Sequence, residues 1–130
     1  MARIFLVDDD PDFVEATAAI LEGKGHEVIK LYDGDECLEK LKEIRPDLIV
    51  LDVMMPRLDG YTVCKKLKAD PQYSSIPVLL LTAVASHIST TRYTQLQGME
   101  TEAEDYIDKP VEPEELVKRV EILLSRSYKV

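Results

Sequence analysis

Two short stretches bring together residues that could do chemistry. "FLVDDDPDF" (5–13) ends an apolar run in three aspartates, and "DLIVLDVMMPRLDG" (47–60) drives a second apolar run into Asp52. An ionised carboxylate is expensive to take out of water unless it is paired or holds a cation, so Asp8, Asp9 and Asp52 are expected at a rim of the core. Three carboxylates in one place repel unless a hard cation neutralises them. Mg²⁺ is commonly held by one or two carboxylates, a carbonyl and waters, so the pattern implies a Mg²⁺ site, with Mn²⁺ as a substitute. A carboxylate can also attack phosphorus to form an aspartyl phosphate, which makes Asp52 the central candidate for a nucleophile. Phosphoryl transfer then needs in-line positioning and cations to hold the oxygens. Lys109, in "EDYIDKP", would add positive charge, and Thr82, in "IPVLLLTA", would donate a hydroxyl hydrogen bond.

Each of these residues also has a plainer reading. An acidic triplet is commonly solvated surface or a helix N-cap, a role suited to Asp10 or Asp12. Asp52 alone could be a cap, Thr82 a β-branched strand residue, Tyr106 a core aromatic with a wet hydroxyl and Lys109 a surface lysine. Asp59, before Gly60, reads as a turn residue. Met54 and Met55 suit loop packing. His26 and His87 are isolated and receive no role.

The elements that must position these groups follow from periodicity. Apolar runs alternate with stretches of helical period five times, which predicts βα units, a mainly parallel sheet and an α/β fold. Strands are expected over 3–9, 26–32, 47–52, 76–82 and 104–109. The first, third and fourth are continuous apolar runs, the mark of strands covered on both faces, while the second and fifth are mixed, as at sheet edges. Helices are expected over Pro11 to Lys24, Gly34 to Ile44, Tyr61 to Ala69, Ser86 to about Gln97 and Glu114 to Ser125. Pro11 and Pro113 suit first-turn positions and Gly25 a helix end. Open α/β sheets bind ligands outside the carboxyl ends of their strands, where Asp8, Asp9, Asp52, Thr82 and Lys109 would all converge.

The bulk properties narrow the function classes. The 130 residues fit one domain, 1–130, and their 45% apolar and 32% charged content is globular. No segment approaches the roughly 20 apolar residues of a membrane span, and acidic residues stand where a secretory h-region would continue, so a cytoplasmic location is expected. Cys37 and Cys64 lack metal spacing and read as reduced structural thiols. A formal charge of −9 opposes a sequence-independent grip on nucleic acid by this domain. Walker-type and GxGxxG loops are absent from the sequence.

In their order and spacing, "FLVDDDPDF", "DLIVLDVMMPRLDGYTVCKKLK", "IPVLLLTA" and "EDYIDKPVEPEEL" resemble the receiver domain of two-component response regulators over nearly the whole chain. The resemblance implies a flavodoxin-like, doubly wound sheet of five parallel strands in the order 2-1-3-4-5, with five helices in three layers. It also implies phosphoryl transfer from a sensor histidine kinase or a histidine phosphotransfer protein. By motif position, Asp52 would be the phosphoacceptor, Asp9 a direct Mg²⁺ ligand, Asp8 a ligand mainly through water, and the Met54 carbonyl a further ligand. Thr82 and Tyr106 resemble the family's switch pair. Lys109 with Pro110 resembles its Lys-Pro motif, often built on a cis bond. A protein effector would read the face made by the fourth helix, fifth strand and last helix.

The chain departs from the family pattern in places. The stretch from Thr82 to Lys109 is several residues longer than is common, so the helix-four region, about 84–102, is expected to be extended. Glu102 stands where a glycine is usual, and Val111 replaces a frequent phenylalanine. Met54 and Val84, two residues after Asp52 and Thr82, cannot orient an attacking water by a hydrogen bond, which predicts slow self-hydrolysis. On the last helix, Val117, Val120 and Leu124 form a core-facing stripe flanked by Leu116 and Leu123, while Ile122 faces away as ordinary surface or a homodimer or effector face. Two other functions compete with the signalling switch. A degenerate, phosphate-independent binding module is opposed by the intact acidic set. A metal-dependent phosphatase is opposed by Met54, where that family carries a second aspartate.

Overall fold

The computed structural model describes residues 2–55, 58–83 and 103–128. Its elements run β1 (Arg3–Val7), α1 (Pro11–Gly23), β2 (Glu27–Leu31), α2 (Gly34–Leu41), β3 (Leu48–Asp52), α3 (Gly60–Ala69), β4 (Val78–Ala83), β5 (Asp105–Lys109) and α4 (Pro113–Tyr128). The five strands form one sheet in the order β2-β1-β3-β4-β5, and every pairing is parallel. Four helices fall among the described residues, against the five expected. The expected helix over Ser86 to about Gln97 lies outside them.

Alternation along the central strands explains the layering, because successive side chains in a strand point to opposite faces. Ile4, Leu6, Leu48, Val50, Leu79 and Leu81 pack with Val14, Ala18 and Leu21 of α1 and Leu116 and Val120 of α4. Phe5, Val7, Ile49, Leu51, Val78 and Leu80 pack on the other face with Cys37 and Leu41 of α2 and Val63, Cys64 and Leu67 of α3. β3 is buried throughout, whereas β2 and β5 are mixed, as their edge positions require. The stripe on the last helix is as expected: Leu116, Val117, Val120, Leu123 and Leu124 are buried and Ile122 is exposed. Both cysteines are buried, and neither is in a disulfide.

Local chemistry sets the helix ends. Asp10 caps α1 by accepting from the backbone N–H groups of Asp12 and Phe13, with Pro11 in the first turn. Asp59 corrects its reading as a turn residue: it is the N-cap of α3, accepting from the Thr62 backbone N–H and hydroxyl. Asp33 caps α2 in the same way. α2 stops at Leu41, short of Ile44, because Lys42 and Glu43 close tight i−3 bonds onto Glu39 and Lys40 ahead of Pro46. Gly25 leaves α1 with φ +94°, a left-handed conformation that favours glycine.

Candidate functional site

Three loops at the carboxyl ends of β1, β3 and β5 build the site. β1 ends at Val7 and delivers Asp8, which is fully buried and accepts from the Asp10 backbone N–H at 3.0 Å. β3 ends on Asp52 itself, 1% exposed, whose Oδ1 accepts from the Met54 backbone N–H at 3.3 Å. A sharp return of the chain holds this loop: the Gly60 N–H donates to the Val53 carbonyl at 3.0 Å. A Cβ on Gly60 would collide with the Asp52 carbonyl oxygen and Val53 Cα, so the α3 start needs glycine for close approach.

Lys109 reaches across from β5. Its Nζ lies 2.8 Å from Asp8 Oδ2 and 3.3 Å from Asp52 Oδ1, and the following Lys109–Pro110 bond is cis. The ammonium also sits 5.1 Å from the centre of the Phe13 ring, within cation–π range. Asp9 is exposed, yet carboxylate oxygens of Asp8, Asp9 and Asp52 all lie within 4.8 Å of one another. Among the described residues this is the one such group of three that could hold a metal ion.

The electrostatics of this cluster are unbalanced. Burial pushes the Asp52 carboxyl from the usual carboxylate range up to about 7, and the charge of Asp8 pushes the same way against Lys109 and the Met54 N–H. Burial works against the Lys109 charge, but the hydrogen bond to Asp8 and the charges of Asp52 and Asp8 outweigh it and raise its pKa. A single ammonium cannot balance three carboxylates. Such a site suits a divalent cation or transfer of a group whose oxygens need positive charge.

The other expected residues divide. Thr82, 1% exposed, donates its hydroxyl to Asp108 Oδ1 at 2.6 Å. Tyr106 is 38% exposed, so its ring is not in the core. The Met54 side chain is exposed rather than packed, and Met55 does the loop packing instead. Val84 lies outside the described residues. Phe13, Asp108 and Gly60 escaped the sequence reading. Gly60 had a legible signal in the tight "LDG" spacing after Asp52, whereas Phe13 and Asp108 acquire their neighbours only through the fold.

Comparison with known proteins agrees with the fold. The response regulator receiver domain family matches residues 4–121. The chain belongs to that family. It is 39% identical over 125 residues to the DNA-binding response regulator MtrA of Mycolicibacterium smegmatis, covering 96% of this chain and 51% of that protein. It is 38% identical over 130 residues to the DNA-binding dual master transcriptional regulator RpaA of Synechocystis, covering 100% of this chain and 52% of that protein. The chain thus spans about half the length of these curated relatives. The receiver domain of a signal transduction histidine kinase from Syntrophus aciditrophicus superposes with a TM-score of 0.86 at 37% identity, covering 96% of this chain and 91% of that one. The relatives it matches are response regulators, which are signalling proteins rather than conventional enzymes. No helix among the described residues is long and apolar enough to cross a membrane.

Proposed function

We propose that this chain is a phosphorylation-dependent switch that accepts a phosphoryl group on Asp52 from a sensor histidine kinase or a histidine phosphotransfer protein. The observation that carries the reading is the contact of the half-buried Lys109 Nζ with the buried carboxylates of both Asp8 and Asp52, with Asp9 in reach of the same point. An Asp52 carboxylate oxygen forms a bond to phosphorus as the phosphorus–nitrogen bond of a phosphohistidine breaks, and the released imidazole takes a proton from solvent. Lys109 holds a phosphoryl oxygen, and the Met54 N–H keeps the carboxylate oriented.

The residues fit a divalent cation, since the acidic cluster carries uncompensated negative charge. Asp8, Asp9, Asp52 and the Met54 backbone carbonyl would hold Mg²⁺, which when bound neutralises the carboxylates and draws charge from phosphoryl oxygens. Thr82 and Tyr106 act as the switch pair, the hydroxyl turning to the phosphoryl group and the ring moving inward. The face that includes β5 and α4 then changes its affinity for a protein effector, since a switch works only by differential affinity between its states; the helix-four region expected to share that face lies outside the described residues. Met54 and Val84 leave the attacking water unoriented, so the phosphoryl group is long-lived.

Residues 1–130 constitute one receiver domain acting in the cytoplasm, and the extension expected over 84–102 lies outside the described residues. DNA-binding appears in the names of relatives about twice its length, and the charge of −9 opposes a direct nucleic-acid contact by this domain. Ile122, 42% exposed on α4, supplies a homodimer or effector contact. The test is intact mass after incubation with acetyl phosphate, with and without Mg²⁺, beside Asp52→Asn. A Mg²⁺-dependent gain of one phosphoryl group, lost in the variant, is expected. No gain under any condition would instead favour a phosphate-independent binding module.

A further inference from the structure

Thr82 and Asp108 are register partners on β4 and β5, so the pairing sets their side chains beside each other on one face of the sheet. The buried Thr82 hydroxyl donates to Asp108 Oδ1 at 2.6 Å, the short distance of a charge-assisted O–H···O⁻ bond. A hydroxyl has one proton to donate. While that proton is held by Asp108, it is not available to a phosphoryl oxygen on Asp52.

We propose that Asp108 is a positioning residue that latches the Thr82 hydroxyl in the unphosphorylated state and so opposes switching. The inference rests on the proposed function, in which Thr82 is the group that turns. Phosphorylation must break this bond before Thr82 can serve the phosphoryl group, so Asp108 sets how far the unmodified protein leans toward the resting state. Removing the latch leaves the acceptor, Lys109 and the acidic cluster in place. It lowers the cost of turning Thr82, and the population shifts by that difference.

The experiment is a calorimetric titration of the full chain with beryllofluoride, an inorganic mimic of the phosphoryl group, in the presence of Mg²⁺. Asp108→Ala is expected to bind it about tenfold more tightly than the parent, the size of one charge-assisted hydrogen bond. Asp108→Asn keeps the shape and loses the charge, so it should tighten binding less, and it carries the same comparison if the alanine variant fails to fold. In a Thr82→Ala background, Asp108→Ala should change the affinity less than about twofold, because the latched group is gone. Equal tightening with and without Thr82 would mean that the charge of Asp108 acts alone, and would overturn the latch. So would affinities of both Asp108 variants equal to the parent's. If the parent neither binds the mimic nor gains a phosphoryl group, the proposed function falls and the latch falls with it. A parent that responds while the Asp108 variants match it removes the latch alone.

Discussion

Two lysines of this fold hold their ammonium groups in opposite circumstances. Lys68, at the end of α3 with its side chain 4% exposed, gives its ammonium to the Ser74 carbonyl at 3.1 Å, the Ile76 carbonyl at 2.8 Å and Glu104 Oε2 at 2.9 Å. An ammonium has three protons, and all three find acceptors. Glu104 is used on both oxygens, since Oε1 accepts from the Val78 backbone N–H at 2.7 Å. This closed network fastens α3 to the start of β4 and the approach to β5. Lys109, by contrast, faces two buried carboxylates with a third in reach, and Asp52 among them is pushed up to about 7. The first network is complete and can only hold structure together. The second is short of positive charge, which costs stability in the resting protein and leaves it ready to accept a cation and a phosphoryl group.

The contrast makes the two sites respond to mutation with opposite sign. Lys68→Met strands Glu104 and two carbonyls, and should destabilise the fold by about 2–3 kcal/mol in denaturant unfolding. A loss below about 0.5 kcal/mol would place Lys68 with ordinary surface charges. Asp52→Asn should instead stabilise the metal-free protein at neutral pH, by on the order of 1–3 kcal/mol. The sign follows from linkage. Because the folded carboxyl holds its proton more tightly than the unfolded one, its contribution to stability is present below about pH 4 and is lost as pH rises to about 7 and beyond. The advantage of the variant should therefore shrink as pH falls toward 4, which thermal melts across that window will read. An advantage that stays constant over the window would break the comparison. The smallest effect is expected at the exposed Arg3–Glu27 pair, 3.1 Å apart, where Glu27→Gln should change stability by less than about 0.5 kcal/mol and sets the baseline for both buried sites.

Much of the scaffold was legible in the chain because periodicity reports burial directly. The continuous apolar runs of β1, β3 and β4 mark the sheet centre, and the mixed runs of β2 and β5 mark its edges. Element ends were less legible. α2 stops three residues before Ile44 because of local i−3 turns, and Asp59 serves as a cap where the adjacent Gly60 suggested a turn. At the site, the acidic residues and Lys109 could be named from their positions after apolar runs. The bond from Thr82 to Asp108 could not, since it depends on which strand residue stands opposite which.

The order of residues was enough to set the α/β class, the strands that lie inside, and the rim to which Asp8, Asp9, Asp52 and Lys109 belong. All of these are consequences of apolar patterning and of the cost of burying charge. How those charges pair with one another came from the folded arrangement. Distances between residues 101 positions apart, such as Lys109 to Asp8, come from strand order and the path of each loop. Whether a buried charge is balanced, as at Lys68, or left unbalanced, as at Asp52, depends on interactions that fall off with distance in space and carry no record of spacing along the chain.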